Sequence, residues 1–306
     1  MTDWKGLLEG LRKLTKSEPE NAVAWYNLGF AYANLTRYDE AIEAFRQTLR
    51  IEPEHAEAWT GLWRASIEAN LEAIRINPED AGAWHNLGVA YANHSRYDDA
   101  IEAYREVIRI NPGIATAWAW YNLGLAYGNL NRHDDAFEAF RQATRINPEN
   151  TTTWGRLGAT YDNHSRYDDA IEAYHQVIRI NPEHAYAWYS LGNAYANLTR
   201  YDAAIEAYLE AIRINPKGAG AWTGLGVLYY DLDRSDDAIE AFRQVTRINS
   251  EDAIAWNNLG FAYRNLNRSD DAIAAYREAL RIDPENAPPG TFLISPTKFE
   301  NWDNPW

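Results

Sequence analysis

The 306-residue chain has no cysteine, one methionine and only five lysines. Without cysteine there are no disulfides and no thiolate metal sites, although the compartment stays open because secreted proteins can also lack cysteine. No apolar run approaches the roughly 20 residues of a membrane-spanning helix. The opening MTDWKGLLEGLRKLTK is too polar for a signal peptide. The expectation is a soluble chain, cytoplasmic by default and extracellular if it builds a filament. A basic patch is missing too. With a net charge of −15, neither nucleic acid nor an anionic membrane surface is expected as a partner. No His-x-x-x-His pair, glycine-rich phosphate loop or nucleophile elbow occurs. The chain is therefore expected to be no enzyme and to need no metal or cofactor.

What the sequence does have is a beat. Trp120, Trp154, Trp188, Trp222 and Trp256 are each 34 residues apart, as are Trp25 and Trp59. Pro148, Pro182 and Pro216 keep the same spacing, with Ser250 in the next slot and then Pro284. A fixed period of this size marks a stacked-repeat architecture, which grows along one axis and has no single central core. In the unit 185–218, Trp188, Leu191, Tyr195 and Leu198 fall at helical spacing. Gly192 lies inside that helix, where it costs roughly 1 kcal/mol against Ala, so a close helix approach should compensate. Asn197 to Arg200 makes a turn, and Asp202 opens a second helix at the favourable end of its dipole. Ala204, Ala207, Tyr208 and Ala211 form that helix's stripe, and Pro216 ends the unit.

The set Trp188, Leu191, Gly192, Tyr195, Ala204, Tyr208, Pro216 recurs as Trp25, Leu28, Gly29, Tyr32, Ala41, Phe45, Pro53. It appears again as Trp154, Leu157, Gly158, Tyr161, Ala170, Tyr174, Pro182. This pattern resembles the tetratricopeptide repeat. Eight units read in phase: 22–55, 56–80, 81–114, 117–150, 151–184, 185–218, 219–252 and 253–286. The resemblance implies an all-α fold, a right-handed α-solenoid superhelix of antiparallel helix pairs. It also implies a non-catalytic scaffold that binds protein or peptide on its concave face.

Two places leave the beat. Trp59 to Trp84 spans 25 residues and Trp84 to Trp120 spans 36. The short unit lacks the end of its first helix and the whole inter-helix turn. Trp59, Leu62, Trp63, Ile67, Leu71 and Ile74 form one continuous stripe, which predicts a single helix over about 56–76 that bends or interrupts the array. The two extra residues, Ala115 and Thr116, are expected to lengthen the turn before Trp120.

In the family, residues one, five and nine after the tryptophan face the groove. The resemblance carries this role onto Tyr26, His85, Tyr121, Tyr189 and Asn257, onto Phe30, Leu125, Asn193 and Phe261, and onto Asn34, Asn93, Asn129, Asn163, Asn197 and Asn265. Asn86, Asn122 and Asn258, two after the tryptophan like Asn27, extend an amide row similar to that of O-linked N-acetylglucosamine transferases. An amide both donates and accepts, so such a row can pair with an extended backbone. Arg156, Ser190 and Gly224 interrupt it. The Lys/Arg clamp of chaperone-tail-binding members is absent. Asn also favours helix ends and turns, so for the ninth-position set both readings stand.

Asn34, Asn93, Asn150, Asn163, Asn197 and Asn267 head N-glycosylation patterns, most of them copies of one turn. The Asp98-Asp99 type of pair recurs at second-helix starts, which points to helix capping and away from acid–base chemistry. Residues 1–21 read as a lone second-type helix carrying Leu7, Leu11 and Leu14. The segment 287–306 has no helical period but carries Phe292, Leu293, Ile294, Phe299, Trp302 and Trp306. Docking of such a tail on a neighbouring copy would make head-to-tail oligomers or a filament, the alternative to a peptide-binding scaffold.

Overall fold

The computed structural model describes residues 4–113 and 116–284. The self-association tail expected at Phe292, Leu293, Ile294, Phe299, Trp302 and Trp306 lies outside the described residues, as does Ala115 of the insertion. The described residues form sixteen α-helices in two compact units that divide at Pro148 and Glu149.

In the first unit, α1 (Trp4–Ser17) precedes the hairpin of α2 (Ala22–Asn34) and α3 (Tyr38–Ile51). One long helix follows, α4 (Ala56–Ile76). The hairpins α5 (Ala81–Asn93) with α6 (Tyr97–Ile110), and α7 (Ala117–Asn129) with α8 (His133–Ile146), complete the unit. The second unit has four hairpins: α9 (Thr151–Asn163) with α10 (Tyr167–Ile180), α11 (Ala185–Asn197) with α12 (Tyr201–Ile214), α13 (Ala219–Asp231) with α14 (Ser235–Ile248), and α15 (Ala253–Asn265) with α16 (Ser269–Ile282). Consecutive helices pack on one another, as an all-α solenoid requires.

Most first helices start at a side-chain cap. The amide or carboxylate oxygens of Asn21, Asp80, Asn150 and Asp252 accept from the backbone N–H three residues on, at 3.0–3.1 Å, and His55 and His184 do the same through Nδ1. Each such cap contributes about 1 kcal/mol. Second helices start differently, and the capping expected of the paired aspartates is not what they do. The N-cap is arginine with no side-chain cap bond, as at Arg96, Arg166 and Arg234. The second acid of each pair instead bonds back to that arginine, as in Arg96–Asp99 at 2.6 Å and Arg234–Asp237 at 2.8 Å. The same guanidinium lies over the motif tyrosine, 4.4 Å from the Tyr91 centroid and 4.2 Å from that of Tyr229, a cation–π clamp across the turn.

The turns between paired helices share one left-handed residue: Thr36, Ser95, Asn131, Ser165, Thr199, Asp233 and Asn267 all have φ of 55–57°. It lies eleven residues after the tryptophan, so the asparagine at the ninth position is the last helical residue and not the left-handed one. Asn34, Asn129 and Asn197 donate through Nδ2 to the carbonyls of Phe30, Leu125 and Asn193, one turn back. Four of the glycosylation-type triplets thus come from turn construction, with asparagine ending the helix and Thr36, Ser95, Ser165 or Thr199 taking the left-handed position.

The motif leucines are core, with Leu28, Leu87, Leu191 and Leu225 all 3% exposed or less. The tryptophans are not: they stand half-buried and Trp59 is 52% exposed. Their indole N–H donates to the carbonyl six residues back, as from Trp188 to Pro182 (2.8 Å) and Trp256 to Ser250 (2.9 Å). This bond needs only a carbonyl, which is why serine can occupy a proline slot. Successive linkers are tied by exposed ion pairs thirty residues apart, among them Arg109–Glu79, Arg213–Glu183 and Arg281–Glu251, at 2.9–3.1 Å. Such pairs add little stability singly but hold the register.

The long helix α4 neither bends nor interrupts the packing. Ala58, Leu62 and Ala65 belong to the same core as Leu28, Phe45 and α1. Trp63, Ile67 and Ile74 belong to the next core, with Leu87, Ala90 and Ala103. One helix serves two cores because its stripe winds slowly round the axis over twenty-one residues. Leu71, expected in that stripe, is 40% exposed. Beyond the insertion, α7 keeps the usual thirteen residues, and Thr116 is buried with its hydroxyl donating to the Gly113 carbonyl at 2.6 Å.

Candidate functional site

First helices of successive repeats touch: α2 with α4 in one unit, and α9 with α11, α11 with α13 and α13 with α15 in the other. They therefore line the inner side of each unit, and the residues one, five and nine after the tryptophan open into cavities there. In the first unit a 700 Å³ cavity joins Tyr26, Phe30 and Asn34 of α2 to Thr60, Arg64 and Glu68 of α4. Phe30 is 46% exposed and meets Trp4 edge-on at 5.7 Å. A 230 Å³ cavity lies among Val89, Asn93, Asn122, Leu125 and Asn129. A 440 Å³ cavity is lined by His85, Asn111, Trp118 and Asn122. His85 stands edge-on to Trp118 at 3.7 Å, and burial holds its imidazole pKa below the ordinary value.

In the second unit a 610 Å³ cavity is lined by Tyr186, Tyr189, Gly220, Thr223 and Ile254. Tyr189 and Asn193 belong to a tyrosine cluster, where Tyr208 donates its hydroxyl hydrogen to Asn193 Oδ1 at 2.7 Å. Asn86 is exposed. Tyr121, half-buried, leans on Phe140 at 5.8 Å, and Asn257 is half-buried as well; neither lines these cavities. Two expected groove residues face inward. Phe261 is 6% exposed and packs edge-on to Tyr276 at 5.7 Å, while Asn258 is fully enclosed. The amide row is thus broken at its far end as well as at Arg156, Ser190 and Gly224.

The fully enclosed polar atoms without a hydrogen-bond partner are distributed unevenly. They include His85 Nδ1, Arg156 Nε, Asp162 Oδ1 and both amide atoms of Asn258, all on first helices; Trp63 Nε1 and Tyr276 Oη complete the set. Burial pushes the Asp162 carboxyl up to about 6 and also raises Asp231. Asp162 was not singled out from the sequence. Its signal was present, because the eighth position after the tryptophan is alanine or glycine in four other units (Ala33, Ala92, Gly128, Ala196). Among the described residues no cluster of three His, Asp or Glu side chains is placed to share a metal ion, and no helix is long and apolar enough to cross a membrane.

Stacked helical hairpins with their first helices on the inner side define a helical-repeat interaction protein. Residues 22–55 and 79–149 match tetratricopeptide-repeat models, and residues 164–289 match the model of the C-terminal domain of cilia and flagella-associated protein 70. The chain belongs to the tetratricopeptide-repeat proteins, which typically act as non-catalytic scaffolds for other proteins. Among solved structures it is similar to MamA, with 28% identity and a TM-score of 0.52 over 55% of this chain and 92% of that one. A MamA structure from Desulfovibrio magneticus RS-1 is 18% identical, with a TM-score of 0.52 over 56% of this chain and 96% of that one. PilF of Pseudomonas aeruginosa is 17% identical, with a TM-score of 0.53 over 67% and 92%. These last two show the shared fold alone. No curated protein matches the chain.

Proposed function

We propose that the chain is a scaffold that binds an extended peptide segment of a partner protein along the inner face of its first helices. The observation that carries this reading is the set of enclosed, unpartnered polar atoms on those helices at His85, Arg156 and Asp162. Buried polar groups in folded proteins are otherwise paired, and leaving one unpaired costs about 1–3 kcal/mol. A main chain offers N–H donors and carbonyl acceptors at regular intervals, which suits such a row. The adjoining cavities at Tyr26 and Phe30 and at Leu125 accept side chains.

Selection of phage-displayed random dodecapeptides on the immobilised full chain tests the reading. Enriched sequences are expected, and Phe30→Glu and Leu125→Glu, both at accessible positions, are expected to lower their recovery while leaving the helical circular dichroism unchanged. Unaltered recovery by both variants would remove the first unit's groove from the proposal.

A further inference from the structure

In a repetitive chain, a residue that breaks the repeat marks a local task. The eighth residues after the tryptophans include one acid, Asp162, among Ala33, Ala92, Gly128, Ala196, Tyr230 and Arg264. Its Oδ1 is enclosed and has no hydrogen-bond partner. Four phenols feel its charge: Tyr174 on α10, Tyr186 and Tyr189 on α11, and Tyr208 on α12 all have their pKa raised, first by burial and further by Asp162. The rings of Tyr186 and Tyr189 are 5.8 Å apart, and those of Tyr189 and Tyr208 6.3 Å. A second break lies on the same helix. Arg156 replaces the asparagine of other units, and its Nε is likewise enclosed and unpartnered. Six residues separate the two, about 9 Å along the helix axis, and the Arg156 charge is felt at Tyr186.

We propose that Asp162 and the tyrosines around it form an anchor pocket for a lysine side chain of the bound peptide. This rests on the peptide-groove reading and names the specificity of the second unit. A lysine ammonium is compact and offers three donors. Asp162 Oδ1 accepts one, phenol oxygens accept the others, and the electron-rich ring faces attract the cation. Arg156, which can only donate, takes a backbone carbonyl of the same peptide one to two turns away. A carboxylate kept for structure alone is paired within the fold, and the described residues supply Asp162 Oδ1 with no partner.

The same phage selection, run on the wild type and on Asp162→Asn, tests the pocket. Wild-type protein is expected to enrich lysine at one fixed position, and Asp162→Asn to lose that preference while keeping the rest of the motif. A synthetic copy of the best peptide with its lysine changed to norleucine is expected to bind wild type at least about tenfold more weakly. This second measurement does not depend on any variant folding. A thermal melt followed by circular dichroism controls the variant, which loses a desolvated charge and is expected to melt no lower than wild type. Absence of a lysine preference, its survival in Asp162→Asn, or equal affinity for the norleucine peptide would each overturn the pocket and leave the groove standing. Recovery of no peptide by wild type would overturn the groove, and the pocket with it.

Discussion

A Cβ placed on Gly192 would fall 2.6 Å from the ring of Tyr208. The contact recurs along the chain, between Gly88 and Tyr104 (2.6 Å), Gly124 and Phe140 (2.7 Å) and Gly226 and Phe242 (2.7 Å). The motif glycine and the motif aromatic are therefore one device, in which the second helix's ring fills the space of the missing methyl group. Tyr208 and Phe140 are accordingly fully buried.

Gly192→Ala should overpack this contact and destabilise the second unit by about 1–3 kcal/mol. Gly128→Ala is the control, because nothing lies within 4 Å of its would-be Cβ. It should instead stabilise α7 by about 0.5–1 kcal/mol through reduced backbone entropy. Urea unfolding followed at 222 nm distinguishes the two, and shifts of the same sign would refute the pairing.

Thr199 holds a left-handed backbone with φ of 57°, costly for a β-branched residue. Thr199→Gly should raise stability by about 1 kcal/mol, whereas Thr199→Ala should not. Thr36→Gly in the other unit should act additively, since the two sites share no partner. Melting temperatures of the single and double variants check this.

Asp162 makes stability depend on pH in the direction opposite to a salt-bridged acid. Its folded pKa, raised by burial to about 6, exceeds the unfolded value of 3.8, so the native state keeps the proton longer. Stability from this group is full below about pH 4, falls as pH rises through 4 to 6, and is level above about 7. Asp162→Asn should match wild type at pH 4 and be more stable at pH 8 by up to about 3 kcal/mol. A difference between the two proteins that does not grow with pH would show that the carboxyl is not desolvated.

On α4, Ile67 is 7% exposed and Leu71 is 40% exposed. Ile67→Ala should cost about 2–5 kcal/mol by opening a cavity in the core of α5 and α6, and Leu71→Ala far less. Comparable losses would mean that Leu71 is covered in solution.

The helices, the hairpin pairing and the single helix at 56–76 were all legible, because a 34-residue period fixes which positions are core and a missing turn leaves only one way to continue. Side-chain direction was less legible. The tryptophan reads as core from its recurrence, yet it recurs for its N–H bond to the linker carbonyl, a role that periodicity cannot separate from burial. Phe261 and Asn258 follow the groove pattern in sequence but turn inward, Phe261 because Tyr276 offers it a ring. Asp162 was overlooked for the opposite reason: attention to what repeats passes over the residue that does not.

The two halves of α4 sit in different cores, and this bears on how the chain yields to a stretching force. An ordinary hairpin of this array can be drawn out by itself, releasing a contour of roughly 12 nm for its 34 residues. Pulling α4 away exposes Ala58 and Ile67 together, so its neighbours on both sides lose their cover in the same event. The nine missing residues thus leave the first unit with a shorter chain and a larger indivisible mechanical element.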